Sequence, residues 1–154
     1  MNAPGASGPP ANRMVVAVLS LIGIFVAAYL TAHHLGWVGS LRCGAGFDCA
    51  AVQSSPYATV GPVPVALIGL AGYLALFVLA LAGLRPGLWR SQVIGGLLFG
   101  GAAFGFLYAV YLTYLEAAVI HAWCQWCLIS AVVITLVFIA TLPEWRRIRK
   151  GVSP

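Results

Sequence analysis

Residues 123–142 read WCQWCLISAVVITLVFIATL, and this stretch decides the fold. Two cysteines, Cys124 and Cys127, stand at the start of an apolar run that is close to the ~20 residues a helix needs to cross a ~30 Å hydrocarbon core. Backbone groups inside lipid must be satisfied within their own segment, and the run lacks the alternation of barrel strands. Three further apolar runs of similar length lie at about residues 14–35, 62–83 and 92–115. The sequence therefore predicts an all-α membrane protein, a bundle of four transmembrane helices in one domain.

The overall composition supports this class. Hydrophobic residues make up 62% of the chain and charged residues only 7%, which is far from the usual globular balance. Little of the chain is left outside the four runs. Residues 1–13, rich in Pro, Gly and Ala, are expected to form a disordered tail, residues 14–143 the membrane domain, and residues 144–154 a basic tail.

The basic residues predict the orientation in the membrane. Seven of the eight fall at one end of the predicted bundle, and Arg42 is the exception. Because Lys and Arg favour cytoplasmic loops, both termini are expected in the cytoplasm, with the loop 36–61 and the turn at 116–122 outside. The net charge of +5 is then explained by topology and does not indicate nucleic-acid binding. The seven residues are Arg13, Arg85, Arg90, Arg146, Arg147, Arg149 and Lys150.

A cleavable signal peptide within residues 1–35 is the competing interpretation of the first run. It is disfavoured because the run is longer than a typical signal core and lacks a clear cleavage site of small residues. The chain is therefore expected to be a multi-pass membrane protein.

The four cysteines form two pairs that share one side of the predicted membrane. Cys43 and Cys49 lie in the first outer loop, and Cys124 and Cys127 begin the last span from its outer end. That compartment permits disulfides. Glycines at 44 and 46 are expected to let Cys43 move through space, as a thiol shuttle requires.

A short helix is predicted in this loop. Asp48 is placed to cap a helix that begins at Cys49, continues to Ser54 and stops before Pro56, lying on the membrane surface. Cys49 would then stand at a helix N-terminus, where the dipole favours a thiolate.

The two cysteines of the second pair are expected to have different roles, because they lie at different depths in the membrane. The C-x-x-C spacing predicts that Cys124 is exposed and has a lowered pKa, which suits a nucleophile, while Cys127 meets a lipid-soluble oxidant one turn deeper. Trp123 and Trp126 are interpreted as interfacial anchors, and Glu116 as a solvated carboxylate at the same boundary.

Two other interpretations of the cysteines stay open. They could be structural staples, although a four-helix bundle hardly needs them. A metal- or haem-handling membrane protein could use histidines at the same boundary as extra ligands, but adjacent His33 and His34 point to different helix faces and make a poor chelate with His121.

Three motifs, in this order, carry a resemblance. They are CGAGFDC at residues 43–49, SPYATVGPVP at residues 55–64 and WCQWCLIS at residues 123–130. Together they resemble the bacterial vitamin K epoxide reductase family over roughly residues 14–142. The resemblance implies four helices around a quinone, either menaquinone or ubiquinone.

The resemblance also implies roles for individual residues. Cys43 would exchange with a DsbA-like or thioredoxin-like extracytoplasmic protein, Cys49 with Cys124, and Cys127 would stand next to the quinone and reduce it. Ser55 matches a serine or threonine that the family places beside the reaction centre. The implied activity is that of a quinone-dependent thiol oxidoreductase that makes disulfides for extracytoplasmic protein folding.

Two departures from the family pattern qualify this expectation. Many bacterial members carry a fused thioredoxin-like domain after a fifth span, so the partner here is expected to be a separate protein. Animal members have a tyrosine where this chain has Ala131, which weakens an inference of epoxide reduction. A DsbB-type oxidase of the same chemistry is the alternative, but its C-x-x-C motif lies in the first half of the chain.

Overall fold

The structure is a computed structural model that describes residues 10–152. Residues 1–9 of the predicted N-terminal tail and residues 153–154 lie outside the described part. Within it, four helices are long and apolar enough to cross a membrane, which confirms the predicted all-α membrane fold. They are α1 (Ala11–His34), α3 (Val65–Ala82), α4 (Gln92–Leu115) and α5 (Gln125–Val152).

The observed helices differ from the predicted spans mainly at their ends. Helix α1 begins three residues early, at Ala11, directly after an extended Pro10. Helix α4 continues into a π-helical turn, Glu116–Ile120, that widens the backbone at the cysteine end. Helix α5 runs to Val152 instead of ending near 142, so most of the predicted basic tail is helical. Hydropathy does not mark such extensions because a helix can continue beyond the lipid core.

Packing between the helices is uneven. Helix α1 packs closely against α3 and α5, and α4 packs against α5, whereas α3 and α4 meet over a smaller region. The central core is made of fully or nearly fully buried apolar side chains that include Val16, Leu76, Leu98 and Val137. The looser α3–α4 pairing leaves room for a cavity within the bundle.

One end of the bundle holds a buried ion pair. The Arg13 side chain is 1% exposed and the Glu144 side chain 2% exposed, and Arg13 Nε donates to Glu144 Oε1 at 2.9 Å. Arg13 also donates to the backbone oxygens of Gly83 and Leu88, in the segment that joins α3 to α4. The pair therefore ties the start of α1, the end of α5 and this connection together.

The opposite end carries the cysteines and most of the irregular structure. The connection from α1 to α3 contains a short helix α2 (Cys49–Gln53), a 3₁₀ turn (Pro56–Ala58) and a two-residue hairpin, β1 (Thr59–Val60) with β2 (Val63–Pro64). The short helix predicted to begin at Cys49 is thus confirmed.

Candidate active site

The first cysteine pair is positioned by α2. Asp48 Oδ1 accepts a hydrogen bond from the Ala51 backbone N–H at 3.0 Å, as expected for a helix cap, and the helix begins at Cys49. Cys43 and Cys49 form a disulfide, with their Cα atoms 6.4 Å apart. Cys49 is 2% exposed, whereas Cys43 is only partly buried, so Cys43 is the more accessible sulfur of the pair.

The disulfide loop is docked on the segment that begins α5. The Asp48 backbone N–H donates to Trp123 O at 2.9 Å, and the Gly44 N–H donates to Gln125 Oε1 at 2.8 Å. The Trp126 indole donates to Arg42 O at 2.8 Å. The predicted interfacial Trp126 therefore also holds the loop against the second cysteine pair.

The second pair lies at the start of α5 in a different arrangement from the one predicted. Cys124 is 0% exposed, so the expectation that its thiol is exposed is wrong. The reason is tertiary: Cys49 and Val52 of α2 pack over it in one buried cluster. Both Cys124 and Cys127 carry free thiols, and the Cys127 backbone N–H donates to Cys124 Sγ at 3.4 Å.

The environment of Cys124 favours its thiolate. The hydrogen bond between the Cys127 and Cys124 sulfurs is the largest influence, and it lowers the pKa of the Cys124 thiol although burial acts in the opposite direction. The Gln53 amide adds a smaller effect of the same sign. The lowered pKa predicted from the C-x-x-C spacing is found, but hydrogen bonds produce it in a buried site.

Cys127 faces a cavity inside the bundle. The cavity has a volume of about 320 Å³ and is lined largely by apolar side chains of α3, α4 and α5. Its wall includes Leu97 and Phe104, which are 53% and 70% exposed on the outer face of the bundle. The cavity therefore extends to the lipid-facing surface. Its polar lining side chains are Gln53, Ser55, Tyr57, Tyr73, Tyr108, Thr113, Glu116 and Ser130.

Ser55 lies on this cavity wall, immediately after α2. Its hydroxyl donates to Val52 O at 2.7 Å, so the same oxygen can still accept a hydrogen bond from a molecule in the cavity. The residue singled out by resemblance is thus brought into the same cavity as Cys127.

Three polar residues of the site were missed or misread from the sequence. The Gln53 amide donates to Cys127 Sγ at 3.5 Å. The Tyr73 hydroxyl, 57 positions from its partner in the chain, donates to Ser130 O at 2.8 Å. Glu116, predicted to be a solvated interfacial carboxylate, is 3% exposed, because the π-helical turn directs it inward. Its Oε2 accepts a hydrogen bond from the Cys124 N–H at 3.0 Å.

Only weak sequence signals were present for Tyr73 and Glu116, and none for Gln53. Tyr73 is a single polar side chain in an otherwise apolar run, and Glu116 is the one acidic residue between Asp48 and Glu144. Neither signal specifies an inward direction. The histidines considered as extra ligands do not complete a metal cluster in the part of the chain that the structure describes.

The arrangement brings the two cysteine pairs together at one end of the bundle. A loop disulfide packs against a buried thiol of lowered pKa, and the neighbouring thiol faces an apolar cavity that reaches the lipid. A model of the vitamin K epoxide reductase family matches residues 14–142. The chain belongs to this family.

Family membership accounts for the main features of the site. The protein is a multi-pass membrane oxidoreductase that acts on thiols and disulfides. Members of the vitamin K epoxide reductase family are linked in general to quinones. The tyrosine of the animal members is absent, and Ala131 at that position contributes to the cavity wall.

Proposed function

We propose that the protein oxidises a thioredoxin-like dithiol protein outside the cytoplasm and passes the electrons to a membrane quinone, so that it generates disulfides for protein folding. The observation that carries the proposal is that Cys49 and Cys124 are buried in one cluster, next to a Cys127 that faces the cavity. The two cysteine pairs thus support a route for electrons from the accessible Cys43 sulfur to the cavity.

The route begins with thiol–disulfide exchange at the loop. A thiolate of the donor attacks Cys43, the more accessible sulfur, and releases Cys49 as a thiolate. Cys49 then attacks Cys124 in the oxidised Cys124–Cys127 pair, and the electron pair of the broken bond leaves with Cys127. Each exchange conserves electrons. A second donor thiol attacks the donor–Cys43 disulfide, which releases the donor as a disulfide and frees the Cys43 thiolate. Cys43 then attacks Cys49, which re-forms the Cys43–Cys49 disulfide and releases Cys124 as a thiolate.

The cavity suits the head group of a quinone. Its volume of about 320 Å³ and apolar walls match a flat ring. The carbonyl oxygens at the edge of such a ring accept hydrogen bonds, which the amide of Gln53 on the cavity wall can donate. The hydroxyls of Ser55 and Tyr73 donate to Val52 O and Ser130 O, so they would have to turn from these oxygens to donate to the ring. When bound, a quinone supplies a two-electron, two-proton acceptor. Cys127 supplies the nearest sulfur, and Cys124 re-forms the disulfide with it.

The proposal also states on which side of the membrane the active site lies. Seven basic residues cluster at the Arg13 end and only Arg42 at the cysteine end, which favours an extracytoplasmic active site with both termini in the cytoplasm. A donor of the DsbA or thioredoxin type belongs to that compartment. Menaquinone and ubiquinone both have the ring-and-tail form that the cavity and its lipid-facing wall favour.

Purified protein supplied with a reduced thioredoxin-like donor provides the test. Wild-type protein should reduce a soluble menaquinone or ubiquinone analogue, and the preferred analogue identifies the quinone class. Cys43→Ala and Cys49→Ala should abolish the reaction with the protein donor. Both should keep substantial activity with dithiothreitol, because a small reductant can reach Cys124 and Cys127 without the loop.

The matched variants are Cys124→Ala and Cys127→Ala, which should lose activity with both reductants. Full activity of the loop variants with the protein donor would show that the donor meets the C-x-x-C pair directly. Absence of quinone reduction by wild-type protein with either reductant would contradict the proposed function as a whole.

A further inference from the structure

Glu116 is a buried ionisable group to which the relay above assigns no role. It opens the π-helical turn between α4 and α5, a turn that ends at His121 in the left-handed backbone region (φ 55°). The turn places the carboxylate beside the C-x-x-C pair, where it lines the same cavity as Cys127. Only 3% of the residue is exposed.

The neighbours of Glu116 are thiols instead of cations. Its Oε2 accepts from the Cys124 backbone N–H at 3.0 Å, and the carboxylate also faces the Cys127 thiol. Among residues 10–152, the cations that pair with a carboxylate are Arg13 and Arg147, both on Glu144 at the other end of the bundle. From α2, the neutral amide of Gln53 donates to the Cys127 sulfur, and Cys49 packs in the same buried cluster as Cys124.

This setting couples the protonation of the two side chains. A carboxylate and a thiolate in contact, both removed from water, repel each other strongly, so one proton shared between them is the favourable state. Cys127 must lose a proton whenever it forms a disulfide and regain one whenever it is released. Besides the Cys124 sulfur, with which Cys127 shares a hydrogen bond, the Glu116 carboxylate is the ionisable group beside that sulfur.

We propose that Glu116 is the proton carrier of Cys127. When Cys49 attacks Cys124, the Cys49–Cys124 bond forms, the Cys124–Cys127 bond breaks, and the Cys127 sulfur takes a proton from the Glu116 carboxyl. After Cys43 attacks Cys49 and frees Cys124, the Cys124–Cys127 disulfide re-forms and the Cys127 proton returns to Glu116. The two electrons pass to the quinone acceptor, whose two protons balance the two that the donor dithiol loses. The inference rests on the proposed relay and assigns it a further catalytic residue.

Two variants separate proton transfer from a purely structural role. Glu116→Gln keeps an oxygen that can accept from the Cys124 N–H but cannot carry a proton. Glu116→Asp keeps a carboxylate on a shorter side chain. Each is compared with wild-type protein in detergent by quinone reduction with dithiothreitol, and by the pH dependence of iodoacetamide modification at Cys127, followed by mass spectrometry of the fully reduced protein without quinone.

In Glu116→Gln, quinone reduction should become slower, while Cys127 should become reactive at lower pH. Quinone reduction by Glu116→Gln should fall roughly 100-fold, a usual effect of losing a general acid–base group. Modification of Cys127 should begin at lower pH than in wild-type protein, because the charge that opposes a thiolate has been removed. Glu116→Asp should retain more activity than Glu116→Gln and show a smaller shift in the modification curve.

Wild-type turnover in Glu116→Gln would overturn the proposal, and so would a loss of turnover with no shift in the modification curve. If Glu116→Gln cannot be purified, Glu116→Asp provides the test. Wild-type quinone reduction together with a wild-type curve of Cys127 modification in Glu116→Asp would overturn the assignment of Glu116 as the proton carrier. The proposed function is tested separately. A wild-type protein that reduces no quinone contradicts the relay, while a shifted modification curve in Glu116→Gln still supports the proton coupling.

Discussion

At the scale of single residues, Cys124 combines complete burial with a thiol whose pKa is lowered, chiefly by its hydrogen bond with Cys127. A lowered pKa means that the thiolate is already present at a pH where an ordinary cysteine is protonated. In the fully reduced protein, Cys127→Ala should therefore raise the pKa of Cys124. The ultraviolet absorbance of the thiolate, followed against pH, measures the shift.

The control for this titration is a protein with Cys43→Ser and Cys49→Ser, which keeps both residues of the C-x-x-C pair. Its low-pH thiolate signal should match that of reduced wild-type protein. A signal that is unchanged by Cys127→Ala would contradict the assignment of the lowered pKa to that hydrogen bond.

Gly23 is a second residue with a local consequence. A Cβ atom at this position would lie 2.6 Å from Cζ of Tyr73, so α1 and α3 can approach only with glycine here. Gly23→Ala should destabilise the protein by about 1–3 kcal/mol through overpacking and displace the Tyr73 hydroxyl from Ser130. Thermal unfolding in detergent and quinone turnover should both decrease.

Gly100→Ala provides the matched control on α4, where an added Cβ meets no atom within 4 Å. It should leave turnover unchanged and stability equal or slightly higher, since alanine favours helix over glycine. Equal effects of the two substitutions would show that contact with Tyr73 does not explain the glycine at position 23.

At the scale of elements, α2 has one main task, which is to hold Cys49 in the buried cluster with Cys124. In Cys127→Ala, the Cys124 thiolate can attack Cys49 of the Cys43–Cys49 disulfide, which forms a Cys49–Cys124 bond and releases the Cys43 thiol. No Cys127 thiol remains to displace Cys49 from Cys124. Cys127→Ala should accumulate a Cys49–Cys124 disulfide after treatment with an oxidised donor, detected by mass spectrometry of peptides. Accumulation of only the Cys43–Cys49 disulfide would contradict the assigned order.

The ion pair between α1 and α5 is the other element-scale contact with a clear energetic consequence. Glu144→Gln would leave the Arg13 charge buried without its partner, which should cost about 3–5 kcal/mol of unfolding free energy. Arg147 lies 3.8 Å from the same carboxylate but is 53% exposed, so Arg147→Gln should cost less than about 1 kcal/mol. Denaturation of both variants in mixed detergent compares them directly, and similar losses would contradict a buried pair.

These elements show which features of the fold and the site can be predicted from local sequence patterns. The spans, the cap at Asp48 and the two cysteine pairs were predictable because each depends on residues close together in the chain. The burial of Cys124 depends on α2, some 70 positions away, and the inward direction of Glu116 depends on one π-helical turn. Arg13 was predicted only as a marker of topology, because its partner Glu144 lies 131 positions along the chain. No local pattern encodes such pairings.

At the scale of the whole molecule, the two ends of the bundle differ in charge and in chemistry. The end with the cysteines carries Arg42, while the other seven basic residues lie at the end with the buried ion pair. Because positively charged loops are retained in the cytoplasm, the cysteine end should face outward in cells. This orientation is required if a dithiol protein outside the cytoplasm is the electron donor.

A membrane-impermeant maleimide tests the orientation in intact cells. After mild reduction it should label Cys43, which is partly exposed, without permeabilisation. A Lys150→Cys substitution at the exposed opposite end, made with Cys43→Ser and Cys49→Ser, supplies the matched control, and its label should appear only after the membrane is opened. The reverse pattern would place the site in the cytoplasm, where thiols are kept reduced. An extracytoplasmic donor could not reach it there, so the relay would need a different substrate.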